Sequence, residues 1–173
     1  MPEVLLALGS NVGDRLSNLC AAVDALSLRL DLLAVSSVYQ TAPMYVKDQQ
    51  SFYNAALRVR SALPPLELLR LLKVTEAEVG RRAGKRYGPR EIDIDLINYG
   101  CLIYHFKGGE RALELPHPRV AERRFVLQPL FDVSPDASLP GVGSIRDLLA
   151  RTDGQAQDVQ RIEHAVLPIL CNR

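Results

Sequence analysis

The chain has 173 residues, one domain's length, and its 47% apolar and 24% charged residues are the composition of a soluble globular fold, which excludes global disorder and low-complexity structure. Lysine and arginine number 21 against 20 aspartate and glutamate, so with a formal net charge of +1 the chain as a whole is no polyanion binder, and a nucleic-acid role would need local clustering. No apolar run reaches the roughly 18–20 residues of a membrane span, the Met1-Pro2-Glu3-Val4 start lacks a basic segment ahead of an apolar one, and Cys20, Cys101 and Cys171 have no C-x-x-C spacing, so a cytoplasmic protein with reduced thiols is expected.

Val4-Leu5-Leu6-Ala7-Leu8, ended by Gly9-Ser10-Asn11, predicts a buried strand and a turn. Leu16, Leu19, Ala22, Val23, Leu26 and Leu30 recur at spacings of three and four behind Asp14, an N-cap, and predict an amphipathic helix ending near Leu30. Two strands follow, Leu32 to Tyr39 and Phe52 to Arg60, as antiparallel neighbours. Between them Thr41 to Gln50 is longer than a hairpin needs and marks a functional loop. Pro64-Pro65 opens a second helix, with Leu66, Leu69, Leu72, Glu76 and Val79 on its turns and Gly80 as its stop. A basic loop, Arg81 to Arg90, feeds a strand from Glu91 to Asn98 that Tyr99-Gly100 closes.

The order β-α-β-β-α-β is the ferredoxin-like α+β arrangement, an antiparallel sheet with two helices on one face, in a single domain with an appended C-terminal segment. In that segment Cys101 to Leu115 is expected to add a strand pair or hairpin around Gly108-Gly109. Glu122 to Phe131 predicts a short helix, and Ser144 to Ala150 another capped by Ser144. Beyond Thr152 the chain reads as polar and then weakly helical.

On the strand from Glu91, Asp93 and Asp95 share one face while Ile92, Ile94 and Leu96 turn to the core. Two adjacent carboxylates repel and need cations or donors beside them. An isolated Asp-x-Asp is commonly a solvated strand face, but the residues just upstream change that reading. From Arg81 to Arg90 the chain carries Arg81, Arg82, Lys85, Arg86 and Arg90 and no acid. Hard carboxylate oxygens suit Mg²⁺ shared with phosphate, and arginine forks clamp the same phosphate, so the pattern points to phosphoryl-group chemistry. A second basic cluster runs from Leu115 to Phe125. Its His117 and Arg123 are candidate phosphate contacts, and Phe125 with Phe52 or Tyr53 can sandwich a flat heterocycle whose edge Asn54 would read. No P-loop and no helix-opening Gly-x-Gly-x-x-Gly occurs, and Gly9 to Gly13 reads only as a turn-to-helix joint.

Four blocks together resemble the 6-hydroxymethyl-7,8-dihydropterin pyrophosphokinase family: Leu8-Gly9-Ser10-Asn11; Tyr39 to Pro43 through Phe52-Tyr53-Asn54-Ala55; Arg86 through Asp95; and Pro116-His117-Pro118-Arg119 through Phe125. They extend over about residues 4–135, and the third block is the family's signature. The resemblance implies diphosphate transfer from ATP, a co-substrate, to the hydroxymethyl group of the pterin, with two Mg²⁺ ions on Asp93 and Asp95. Phe52 and Phe125 would stack on the pterin, and Asn54 with the backbone around Thr41, Pro43 and Met44 would read its edge. Glu76, Arg81, Arg82, Arg90, His117 and Arg123 would hold ATP, with Tyr87 and Leu96 beside the nucleotide. Arg82, Arg90 and Asp95 are the expected catalytic residues, Asp95 being the candidate base. A monomer is expected, with these two small molecules as partners and neither nucleic acid nor membrane. Lys73 departs from the Gln familiar at its place, Tyr87 from the Trp of some members, and the arginine loop is one residue shorter.

Two other readings share parts of the pattern. An RNA recognition motif has the same element order, but its aromatic signature run is missing and an Asp pair without metal would repel RNA phosphates. A two-metal nuclease is the second.

Overall fold

The period-two alternation of Glu3–Ser10 (β1) places Val4, Leu6 and Leu8 on one face and Leu5 and Ala7 on the other, and all five are buried. The first strand is therefore covered on both sides, which a sheet with helices on one face alone would not require. In the computed structural model, which describes residues 1–43, 48–82, 88–108, 112–153 and 158–168, the chain continues as α1 (Arg15–Ser27), β2 (Asp31–Val35), β3 (Tyr39–Thr41), β4 (Phe52–Arg60), α2 (Pro65–Val79) and β5 (Asp93–Tyr99). Asp14 Oδ1 caps α1 by accepting the Ser17 N–H at 3.0 Å, and Gly80 ends α2 at φ +115°, a backbone conformation that favours glycine.

The main sheet runs β10 (Val159–Arg161), β3, β4, β1, β5, with β2 also on β4, and its pairings are antiparallel. On one face α1 contributes Leu19, Ala22, Val23 and Leu26, and α2 contributes Leu68 and Leu72, to a core with Val4, Leu6, Leu8, Leu57, Ile94 and Leu96. This is the α+β arrangement expected from the sequence.

The appended segment adds a second layer. After the hairpin β6 (Tyr104–Phe106) and β7 (Leu113–Leu115), a single 3₁₀ turn, Val120–Glu122, leads into α3 (Arg124–Val133). The short pair β8 (Ser138–Leu139) and β9 (Gly143–Ser144) precedes α4 (Ile145–Arg151), which Ser144 caps through the Asp147 N–H at 3.1 Å. Val126, Leu127, Leu130 and Val133 of α3, with Ile145 and Leu148 of α4, pack on Leu5, Ala7, Ala56 and Ile97 of the sheet. The face that an RNA recognition motif would offer to bases is thus largely occupied by helices.

Three expectations are corrected. The single strand over Leu32 to Tyr39 is two strands on β4, because Val35 pairs with Leu57 and Tyr39 with Asn54, leaving one extra residue between them. Ser36 causes the break: its hydroxyl accepts the Ala56 N–H at 2.8 Å, replacing a ladder bond with a side-chain bond. The weakly helical tail contains instead β10 (Val159–Arg161) on the edge of β3, extended by the Ile162 N–H to Val38 C=O bond at 2.9 Å, because that edge leaves a row of unpaired peptide groups to complete. Leu167 then returns to the core under α1 and α2. Finally, β5 begins at Asp93 rather than Glu91. No helix among the described residues is long and apolar enough to cross a membrane.

Candidate active site

Above the sheet, on the side where α3 packs, the covering helix stops short and the floor residues are the small Ala7 and Gly9; an open cleft of about 450 Å³ remains. Its two halves differ in chemistry.

The polar half is built on β5. Asp93 and Asp95 both face the cleft, while Ile94 and Leu96 between and beyond them are buried. The repulsion between the carboxylates is offset by cations from three directions. Arg81 Nη1 lies 2.7 Å and Arg90 Nη1 2.9 Å from Asp93 Oδ1, with Lys73 Nζ at 4.0 Å, and Arg123 Nη1 lies 3.7 Å from Asp95 Oδ2. Behind them Glu76, only 2% exposed, accepts from Lys73 Nζ at 2.6 Å and from the Ile94 N–H at 2.7 Å, and it pairs with Arg81. Burial pushes the Glu76 carboxyl up while Lys73 opposes that shift. Lys73 also donates to the Ile94 carbonyl at 3.0 Å, so α2 grips the start of β5 through one ammonium.

His117 and Arg123 form the wall. The His117 N–H donates to the Ile97 carbonyl at 2.8 Å, anchoring the residue to β5, and its Nδ1 accepts the Arg119 N–H at 3.2 Å. Burial pushes the imidazole below its ordinary value, against the pull of Asp95 and reinforced by Arg123 and Arg119. The ring is therefore neutral near pH 7 with its proton on Nε2. Arg123 is 12% exposed at its side chain, and among the described residues its buried Nε has no hydrogen-bond partner. Arg123 itself lines the cleft, so its guanidinium is within reach of a ligand there.

The second half is apolar with one amide. Phe52 and Phe125 line it from β4 and from the first turn of α3, and Arg123 lies 5.8 Å over the Phe125 ring. Asn54, buried, donates Nδ2 to Thr41 Oγ1 at 2.8 Å, which leaves Oδ1 to face the cleft. Asn54, Gly9 and Asp93 are register partners across β4, β1 and β5, so the backbones of Asn54 and Asp93 are about 10 Å apart, two strand spacings. Glycine between them keeps that space open; a Cβ there would lie 3.4 Å from Asn54 Oδ1 and 3.8 Å from Phe52.

Thus the cleft brings together Thr41, Pro43, Phe52, Asn54 and Phe125 on one side, and Arg81, Arg90, Asp93, Asp95, His117 and Arg123 on the other. It does not bring in Glu76, which supports the wall from behind, or the Leu96 side chain, which is in the core. Nor does it bring in Arg82, whose exposed position is tied by its N–H to Glu91 at 3.4 Å. Met44 and Tyr87, and with them Lys85 and Arg86 of the basic loop, lie outside the described residues. Lys73, Gln49 and Arg119 line the cleft although no role was expected of them. For Lys73 the signal was available, as a lysine three residues before Glu76 on one helix face.

A profile of the family described as 7,8-dihydro-6-hydroxymethylpterin-pyrophosphokinase matches residues 5–135. The chain is 37% identical over 166 residues to the 2-amino-4-hydroxy-6-hydroxymethyldihydropteridine pyrophosphokinase of Methylorubrum extorquens, covering 94% of this chain and 100% of that one. It is 46% identical over 132 residues to the mitochondrial folate synthesis bifunctional protein of Pisum sativum, covering 76% of this chain and 25% of that one. Against the longer relatives the match spans only a part, down to 18% of the folic acid synthesis protein of Pneumocystis carinii. The crystal structure of Plasmodium falciparum HPPK-DHPS with pteroate has the same fold, with a TM-score of 0.72 at 15% identity over 87% of this chain and 44% of that chain.

Proposed function

The chain belongs to the 7,8-dihydro-6-hydroxymethylpterin-pyrophosphokinase family, and we propose that it transfers a diphosphate from ATP to the hydroxymethyl group of 6-hydroxymethyl-7,8-dihydropterin, releasing AMP, as a step of folate synthesis. The observation that carries the reading is the division of one cleft into a half of arginines over two carboxylates and a half of two aromatic rings with a buried amide, meeting across Gly9.

The triphosphate belongs in the first half. Arg81 and Arg90 present forks suited to phosphate oxygens, Arg123 adds its guanidinium from the wall, and His117 adds a neutral Nε2–H donor. Among the described residues no group of three or more His, Cys, Asp or Glu side chains is gathered to cage a metal. The two carboxylates fit Mg²⁺ that completes its coordination with phosphate oxygens and water, so Asp93 and Asp95 would hold it. Bound there, the ion neutralises charge on the transferring group. The pterin ring belongs between Phe52 and Phe125, with its polar edge toward Asn54 Oδ1 and the backbone at Thr41 and Pro43.

In the transfer the pterin hydroxyl oxygen bonds to the β-phosphorus as that phosphorus loses its bond to the oxygen bridging to the α-phosphate, and AMP leaves with that oxygen. We assign the hydroxyl proton to Asp95, because Asp93 is already held by two arginines within 3 Å, whereas among the described residues the nearest cation to Asp95 is 3.7 Å away. The arginines stabilise the charge spread over the transferred group. Protein supplied with ATP, Mg²⁺ and the pterin should form AMP, and omission of the pterin should stop it. ADP as the nucleotide product, or AMP formed at the same rate without pterin, would contradict the reading.

A further inference from the structure

The second basic cluster contains one arginine that the cleft does not use. Arg123 and Phe125 line the cleft on either side of Arg124 in the chain, but Arg124 itself does not. As the first residue of α3 it stands where the helix dipole disfavours a cation. Its guanidinium reaches instead the carboxyl-terminal end of α4, where a cation is favoured and the last carbonyls need donors. Nη1 donates to the Leu149 carbonyl at 3.3 Å and to Thr152 Oγ1 at 3.2 Å, and it pairs with the Asp153 carboxylate. Thr152, 1% exposed, in turn donates its hydroxyl to the Leu149 carbonyl at 2.7 Å.

This end of α3 needs such a tie. Its N-cap is Arg123, which makes no side-chain capping bond. Pro129, inside the helix, has no N–H to donate to the Phe125 carbonyl four residues earlier. The turn that carries Phe125 therefore lacks both its cap and one ladder bond. Val126 and Leu127 press it onto the sheet, but apolar contact is non-directional and leaves the angle of the turn open. Hydrogen bonds from Arg124 are directional, and α4 is itself seated in the same core by Ile145 and Leu148. Leu149, Thr152 and Asp153 lie beyond residue 135, where the family match ends, so the tie recruits the appended segment to the site.

We propose that Arg124 is a positioning residue: by holding the first turn of α3 to the end of α4, it directs Arg123 toward Asp95 and Phe125 toward the ring pocket. The inference rests on the functional reading above. Arg81, at the end of α2, and Arg90, ahead of β5, reach the nucleotide half from other elements. Loss of the tie therefore acts on the pterin KM and on kcat, and little on the ATP KM.

The test is steady-state kinetics of the full chain in the wild type, Arg124→Met, Asp153→Ala and the double variant. Methionine keeps an unbranched apolar stem without the donors, and Asp153 is an exposed partner whose removal leaves α4 intact. In Arg124→Met, kcat/KM for the pterin should fall about 10- to 100-fold, the effect of a small misplacement, with the ATP KM within about 2-fold of wild type. In Asp153→Ala it should fall about 2- to 5-fold, and the same substitution should change nothing further once Arg124 is methionine. Unchanged pterin kcat/KM in the folded variants, an ATP KM that rises as much as the pterin KM, or additive effects in the double variant each overturn the proposal. Should Arg124→Met fail to fold, Asp153→Ala decides by the same split between the two substrates. A wild type that forms no AMP overturns the functional reading, whereas an active wild type with unaffected variants overturns only the tie.

Discussion

The two carboxylates are held by different cations, and the difference between them decides what their removal does. Among the described residues Asp93 is shared by Arg81, Arg90 and Lys73, whereas Asp95 pairs with Arg123. Asp95→Ala should therefore reduce kcat far more than it weakens nucleotide affinity, because the lost interaction matters most as charge shifts in the transition state. A folded Asp95→Ala variant with near-normal kcat contradicts the assignment. Phe125 is half-buried against the α3 layer and also lines the cleft. Phe125→Ala should weaken pterin binding by about 1–3 kcal/mol, taking base–aromatic stacking as the guide, and leave ATP affinity almost unchanged. Normal pterin binding with a lowered melting temperature would make the ring packing alone. His117 gives a pH signature. Its folded pKa is depressed chiefly by burial, so below about pH 6.5 the unfolded chain takes up a proton that the fold resists, and stability is lost as pH falls from there toward the folded value. Glu76, raised by burial, acts with the opposite sign, since the fold takes up its proton first. The check is a difference: between about pH 7.5 and about pH 5.5 the melting temperature of His117→Gln should fall less than that of the wild type. Equal falls would place His117 outside the burial argument.

Among elements, those with long periodic patterns were the legible ones. The three-and-four spacing behind Asp14 and behind Pro64 marks α1 and α2, an apolar run ended by Gly9-Ser10-Asn11 marks β1, and alternation marks the end of β4 and the Asp93–Asp95 face of β5. What stayed hidden depends on partners far away in the chain. Nothing local in Leu32 to Tyr39 announces that the Ser36 hydroxyl will take the Ala56 N–H and split the strand. Nothing in Val159-Gln160-Arg161 says that β3 offers an open edge. At the site, residue types that announce their chemistry, arginine beside a carboxylate pair, were legible; Arg124 was not, because its meaning comes only from the two helices it joins. The tail gives an element-scale prediction. Leu167 is 3% exposed in the α1 and α2 core, so Leu167→Ala should cost about 2–3 kcal/mol of unfolding free energy in urea. A change below about 0.5 kcal/mol would mean that the tail does not pack there.

For the molecule as a whole, a net charge of +1 conceals a strongly polarised arrangement. Helices cover both faces of the sheet but leave one end of the α3 face open, and there the fold concentrates arginines over two carboxylates, with the aromatic pocket adjoining across Gly9. On the proposed reading, the phosphates of one ligand and the flat ring of the other meet above the floor of β1, and the β-phosphorus rather than the γ-phosphorus is the point of attack. The measurement that tests this most directly follows label from three ATP preparations, radiolabelled at the α-, β- or γ-phosphate, through one reaction with Mg²⁺ and the pterin. The account predicts that β and γ label both move to the pterin product in equal amounts while α label stays in AMP; transfer of γ label alone, with β label retained in ADP, would contradict it.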